Sequence, residues 1–331
     1  MIAVFGAGAI GCWVGGRLAA GGAKVTLIGR ARVMDELAGG VTTTELDGPP
    51  HTVKVTATTD PAAAAGAQVT LVTVKSAQTA EAGATLAKVL PEGATVLSLQ
   101  NGVRNADVLR AALPGRRVLA CMVPWNVVRK DRGSYHRGTT GVLMVEAAPE
   151  AAVFVEAARA ANIVVEERRD ITAVQWTKLV MNLNNAINAL AGVPLKTELA
   201  ERDYRRVLAA AMREAMAACA KAKQPLARLA PIPPGWVPRV LELPDGLFNV
   251  IARRMLAVDP HARSSMWDDL EAKRPTEVDY LQGEVLALAE RVGTPAPVNA
   301  ALLRLVRAAE AGGRRDYSGA ELRALTESPG S

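Results

Sequence analysis

The chain has 331 residues, half of them hydrophobic and 22% charged, with 39 Lys and Arg against 33 Asp and Glu, a formal charge of +6. That length predicts about two domains, and the composition is that of a globular chain with a sizeable core, which argues against disorder. Three scattered cysteines without a CxxC pair and three histidines without an HExxH argue against a disulfide framework, a zinc ribbon or a metal site, and point to a reduced, cytoplasmic setting.

Ile2–Phe5 is a short apolar run ending in Gly6, as in a buried parallel strand. Gly8–Ala20 reads as a helix packed on a sheet and Lys24–Ile28 as a second strand, making one βαβ unit. Val41–Leu46 and Thr52–Thr56 flank the turn Asp47-Gly48-Pro49-Pro50 and predict an inserted hairpin. Strands follow at Val69–Val74, Thr95–Leu99 and Val118–Val123, with helices over Ala77–Leu90 and Asn105–Leu113 between them, and further β structure over Tyr135–Glu146. Alternating β and α segments predict a Rossmann-type, doubly wound parallel sheet.

The pattern changes near Glu166–Asp170. Helical periodicity then dominates over Ile171–Ala191, Glu198–Lys223, Val237–Val258, Pro275–Val292 and Ala296–Ala309, while Gly312–Ser331 is polar and is expected to fray at its end. The expected organisation is a dinucleotide-binding domain over 1–168 and an all-helical domain over 169–331. No apolar run approaches the roughly 20 residues of a membrane span, and the N-terminus lacks a basic signal-peptide region. The pI near 9.4 raises nucleic acid as a partner, but aromatics are 4% and the basic pairs Arg116-Arg117, Arg129-Lys130 and Arg205-Arg206 read as solvated faces. No nucleic-acid or membrane partner is expected.

Gly6-Ala7-Gly8-Ala9-Ile10-Gly11 fits GxGxxG after a strand and at the start of a helix. In that context Gly6 permits the turn, Gly8 lets the backbone approach a pyrophosphate, and Gly11 allows close helix–sheet packing. An acidic residue after the second strand would favour NAD. Here Arg30 and Arg32 stand instead, and Arg30 can pair with a 2′-phosphate, so NADP is the expected cofactor. Lys75 and Gln100-Asn101-Gly102 each follow a strand at the carboxyl edge where such sheets bind ligands.

This ordered set resembles the ketopantoate reductases (2-dehydropantoate 2-reductases) over nearly the whole length. The likeness rests on GAGAIG at Gly6–Gly11, Arg30, VTVK ending at Lys75 and QNG at Gln100–Gly102. In the second half it rests on Trp176-Thr177-Lys178-Leu179 with Asn182, Ser264-Ser265-Met266 and Thr276-Glu277-Val278-Asp279. The resemblance implies NADPH as hydride donor and a 2-oxo acid bound in an interdomain cleft. It assigns Lys178 as the proton donor, Ser265 as a contact of the substrate carboxylate and Glu277 as the carboxylate that holds the substrate hydroxyl. The chemistry agrees: a ketone reduction needs a proton for the developing alkoxide, and in a chain with three histidines a lysine is a natural source.

Residues 178, 182 and 185 are spaced i, i+4, i+7, so a continuous helix would put Lys178, Asn182 and Asn185 on one face. The family's second asparagine, eight residues after the lysine, is replaced here by Ala186, with Asn185 as the nearest candidate. Tyr135, His136 and His261 receive no functional role. Three readings stay open: a ketopantoate reductase, working as a monomer or homodimer; a related NADPH-dependent reductase of another 2-oxo acid; and a non-catalytic NADP(H)-sensing module.

Overall fold

The computed structural model describes residues 1–46, 48–251 and 262–327. It divides into two compact units, Met1–Gln175 and Trp176–Ser331.

The strands of the first unit are β1 (Ile2–Phe5), β2 (Val25–Ile28), β3 (Val41–Thr44), β4 (His51–Val53), β5 (Thr56–Thr58), β6 (Val69–Val72), β7 (Thr95–Ser98), β8 (Arg117–Met122), β9 (Val127–Asp131), β10 (Ser134–Arg137), β11 (Leu143–Glu146) and β12 (Val165–Arg168). Its helices are α1 (Ala9–Ala20), α2 (Ala31–Leu37), α3 (Thr79–Ala87), α4 (Asn105–Ala112) and α5 (Ala152–Ala160). The main sheet runs β5-β2-β1-β6-β7-β8 in parallel, extended by β11, antiparallel to β8, and then by β12. The six parallel strands take the 3-2-1-4-5-6 order of the Rossmann fold. The central strands are short, rich in Val, Leu and Thr, and buried on both faces, as a sheet covered by helices requires.

The predicted hairpin forms as β3 and β4 but belongs to a separate sheet of order β4-β3-β10-β9. Aromatic packing fastens this sheet to α1. The buried Trp13 ring lies 5.1 Å from Trp125, and the Arg137 guanidinium lies 4.9 Å from one ring and 5.2 Å from the other. Arg137 also donates to Glu45 at 2.6 Å. The expected β structure over Tyr135–Glu146 is therefore two strands in two sheets. Tyr135 is buried in the core and His136 pairs through Nδ1 with Thr44 at 2.8 Å, while His261 lies outside the described residues. Helices α2 and α5 and strands β9 and β12 add to the expected elements, and the two strands carry runs of charge such as Val-Glu-Glu-Arg that hide a β pattern.

The chain continues with α6 (Ile171–Asn182), α7 (Asn184–Ala191), α8 (Leu195–Ala200), α9 (Arg202–Lys221), α10 (Val237–Leu241), α11 (Asp245–Ile251), α12 (Ser265–Glu271), α13 (Gln282–Val292), α14 (Pro297–Glu310) and α15 (Gly319–Glu327). Four expectations change here. The helix expected over Ile171–Ala191 is interrupted at Leu183, whose carbonyl accepts from the Gln282 side chain at 3.0 Å. The helix expected over Glu198–Lys223 divides at Glu201, which has extended backbone. The stretch from Pro275 forms a single 3-10 turn at Val278–Tyr280 and becomes α-helical only at Gln282. Thr276 Oγ1 takes the Val278 N–H, and the Glu310 carboxylate takes the Thr276 N–H, so side chains compete with the helix. Val237–Val258 is split by Pro244 into α10 and α11, and its last residues lie outside the described ones, as does the chain end after α15.

Arg205, read from the sequence as part of a solvated basic pair, is fully buried. Its five donors explain this: the guanidinium bonds the carbonyls of Leu199, Ala200, Leu241 and Leu243 and the carboxylate of Asp245, over the Phe248 ring at 4.1 Å. It thereby satisfies the carbonyl ends of α8 and α10.

Candidate active site

In the first unit the site begins where β1 ends. Gly6 adopts φ +115°, and a Cβ there would lie 2.7 Å from the Val74 nitrogen, so glycine is required by both conformation and space. A Cβ on Gly11 would run into the Gly6 carbonyl oxygen and lie 2.5 Å from Thr73 Oγ1. Gly8 differs: a Cβ there meets nothing within 4 Å, so the protein's own packing does not demand glycine. An exposed glycine N-cap that the protein itself does not require is suited to a ligand approaching the backbone. The N–H groups of Ala9, Ile10 and Gly11 open α1 and have no partner within the helix, which favours phosphate at that end. These residues fit a dinucleotide.

The other candidates of this unit flank the loop. Ala7 donates to the Ile28 carbonyl at 3.1 Å, which brings Gly29 and the exposed Arg30, the N-cap of α2, alongside. On the other side the Ser76 hydroxyl donates to the Asn101 carbonyl at 3.2 Å, joining the Lys75 turn to the Gln100-Asn101-Gly102 turn. Register places all four at one sheet edge: Phe5 pairs with Ile28 and Val72, and Val72 with Ser98. A buried amide network holds the edge. Gln100 Nε2 donates to Thr79 Oγ1 at 2.7 Å and to the Val74 carbonyl at 3.0 Å. Thr79 Oγ1 donates to Asn105 Oδ1 at 2.7 Å, and Asn105 Nδ2 donates to the Asn101 carbonyl at 2.5 Å. Thr79 and Asn105 carry no signal in the sequence, because each sits at the start of a helix where a polar residue looks like an ordinary terminus.

In the second unit Lys178 is partly buried on α6, flanked along the chain by the buried Trp176, Leu179 and Val180, and burial holds its ammonium below the ordinary lysine value. Asn182 ends the same helix, one residue before the break at Leu183, and Asn185 lies in the first turn of α7. The i, i+4, i+7 face is thus carried by two helices. Ala186 is fully buried, so its side chain faces the core, whereas Asn182 and Asn185 are partly exposed. Ser265 opens α12, and its neighbour Ser264 caps that helix and donates to the Asn185 carbonyl at 3.1 Å. Glu277 is partly exposed at the turn before α13, which sends Gln282 to Leu183, between Asn182 and Asn184. The cofactor candidates all fall in the first unit, and Lys178, Asn182, Asn185, Ser265 and Glu277 all fall in the second.

The family model described as ketopantoate reductase PanE/ApbA matches residues 2–150, and its C-terminal counterpart matches residues 170–310. The chain is 30% identical over 317 residues to the 2-dehydropantoate 2-reductase of Archaeoglobus fulgidus, covering 94% of this chain and 98% of that one. It is 29% identical over 331 residues to the enzyme of that name from Halobacterium salinarum, covering 94% and 99%. The crystal structure of a PanE/ApbA family ketopantoate reductase from Ralstonia eutropha superposes with a TM-score of 0.81 at 30% identity, covering 94% and 99%. A Rossmann-type unit followed by a helical unit, with relatives of this kind over almost the full length, defines an oxidoreductase. More narrowly, the chain belongs to the ketopantoate reductase family.

Proposed function

We propose that this protein reduces 2-dehydropantoate (ketopantoate) to (R)-pantoate with NADPH, a step of pantothenate biosynthesis, in the cytoplasm and as a monomer or homodimer. The observation that carries the reading is Lys178, a lysine whose ammonium is destabilised by burial and which is followed along the chain by Asn182 and Asn185. Near-full-length relatives named 2-dehydropantoate 2-reductase support it.

Gly6, Ala7, Gly8, Ala9, Ile10 and Gly11 would hold the pyrophosphate, Arg30 would hold the 2′-phosphate, and Lys75 and Asn101 would bind further along the sheet edge. When bound, NADPH would supply the hydride for the substrate carbonyl carbon. Lys178 Nζ gives its proton to the oxygen that becomes the hydroxyl, and its lowered pKa brings that proton closer to the ideal for transfer near neutral pH. Asn182 and Asn185 orient the ammonium and hydrogen-bond the substrate, Ser265 donates to its carboxylate, and Glu277 accepts from its hydroxyl.

One observation favours a second reading, a reductase of another 2-oxo acid: the fully buried Ala186 stands where the family pattern has an amide. A panel of 2-oxo acids assayed by oxidation of NADPH and NADH separates the two. Ketopantoate is expected to show the highest kcat/KM, with NADPH preferred. Glu277→Ala is expected to narrow the discrimination between ketopantoate and 2-oxoisovalerate, which lacks the hydroxyl, because a group built to bond that hydroxyl is left unpaired without it. Equal losses on both acids would remove Glu277 from hydroxyl recognition. No turnover of ketopantoate would reject the substrate, and no turnover of any oxo acid would leave the sensing module.

A further inference from the structure

Glu198 is a carboxyl group without solvent contact that the mechanism above does not use. It lies on α8, is 0% exposed, and has no ion-pair partner among the described residues. Its Oε2 accepts from Asn188 Nδ2 at 2.7 Å. Asn188, itself 0% exposed on α7, donates a second bond from Nδ2 to the Val193 carbonyl at 3.0 Å and turns its Oδ1 to the Ser264 N–H at 2.8 Å. Ser264 caps α12, taking the Trp267 N–H at 3.2 Å, and its hydroxyl donates to the Asn185 carbonyl at 3.1 Å. A continuous line of hydrogen bonds thus runs from Glu198 to the first turn of α12, where Ser265 sits, and back to Asn185.

We propose that Glu198 is a positioning residue for substrate binding: through Asn188 it fixes the start of α12 against α7 and so sets Ser265 relative to Asn185. The inference rests on the functional reading above, which places those two residues on the 2-oxo acid. The physical reason is the two-fold ambiguity of an amide. Asn188 works only with Oδ1 toward Ser264, since the flipped amide would set Nδ2 against the Ser264 N–H, donor against donor. The Glu198 carboxyl and the Val193 carbonyl, both acceptors on the opposite side, together select the working orientation.

The state of the carboxyl group fits this task. Glu198 Oε1 is a buried acceptor without a donor, and a proton on it removes that mismatch. Burial pushes the Glu198 carboxyl up to about 8, partly offset by the Asn188 amide. A neutral acid has the hydrogen-bonding pattern of a glutamine side chain, one acceptor and one donor end, and this dictates the test.

In the full-length enzyme, Glu198→Ala is expected to raise KM for ketopantoate about tenfold, to change kcat less than about threefold, and to leave NADPH affinity at the wild-type value. Glu198→Gln is expected to restore KM to within about twofold of wild type. Should Glu198→Ala not fold, Glu198→Asp reads the same point: it keeps the carboxyl group but is one methylene short of Asn188, and KM must rise there by a similar factor. A wild-type KM in the shortened variants overturns the proposal. So does a Gln variant as impaired as Ala, or a loss in which kcat, KM and cofactor affinity decline together. If the wild type reduces a different 2-oxo acid, the substrate assignment falls and the same comparison is made with that acid. A wild type inactive on every 2-oxo acid overturns both.

Discussion

The Gln282 side chain donates a 3.0 Å hydrogen bond to the Leu183 carbonyl at the point where the helix carrying Lys178 stops and the helix carrying Asn185 begins. Gln282 is fully buried and begins α13, directly after the turn that carries Glu277. One amide therefore ties the Glu277 turn to the Lys178–Asn185 segment.

Removing that amide should be felt in stability. Gln282→Leu keeps the volume and leaves the Leu183 carbonyl without this buried donor, but it also removes the buried Gln282 Oε1 that has no donor, so the expected net loss is at the low end, about 1 kcal/mol. Urea unfolding followed by far-UV dichroism checks it. A change within about 0.5 kcal/mol, the range of ordinary surface substitutions, would mean that the bond does not support the break.

Gly8 and Gly11 should separate ligand binding from folding. A Cβ at Gly11 collides with the backbone of the same loop, so Gly11→Ala is expected to lower Tm and cofactor affinity together. A Cβ at Gly8 meets no protein atom within 4 Å, so Gly8→Ala is expected to keep the wild-type Tm and weaken NADPH by about tenfold or more. Thermal melts and fluorescence titration measure the two effects. Wild-type NADPH affinity in Gly8→Ala would argue that the pyrophosphate does not pass over this residue.

Arg30 should decide cofactor choice. It is exposed at the N-cap of α2, and a charge-assisted bond to a 2′-phosphate contributes about 1.5–3 kcal/mol. Arg30→Ala is expected to weaken NADPH roughly tenfold to a hundredfold and to leave NADH nearly unchanged. Arg32 can compensate in part, so the double variant gives the fuller effect. Equal losses for both cofactors would place Arg30 elsewhere in the mechanism.

Lys178 should set both the rate and its pH dependence. Lys178→Ala is expected to lower kcat by about 10²–10⁴ with a much smaller change in NADPH affinity. Burial lowers the folded-state pKa below 10.5, so the protonated acid is lost earlier on the alkaline side than for an exposed lysine. The rate of reduction should therefore decline with rising pH through that lowered value. Between it and 10.5 the unfolded chain binds more protons than the folded one, so this residue's contribution to stability increases with pH over the same window. A pH–rate profile without an alkaline limb below 10.5, or wild-type turnover in Lys178→Ala, would remove Lys178 as the acid.

The sequence by itself determined the first unit's core: short Val- and Leu-rich strands alternating with helices, and a glycine loop whose spacing reports a local backbone need. It also carries Lys178, Asn182, Ser265 and Glu277 as candidates, because family motifs are contiguous in the chain. Only the tertiary structure decided the rest. Helical periodicity cannot see that a side chain 99 residues away takes the Leu183 carbonyl, so two helices read as one. The charged pair Arg205-Arg206 carries no mark that one guanidinium will be enclosed by four carbonyls. Glu198 and Asn188 look like ordinary helical residues until α7, α8 and the start of α12 meet and close them from water. A hydrogen bond between distant segments leaves no periodic trace in the chain. Its partners become legible only when packing excludes the solvent that would otherwise satisfy them.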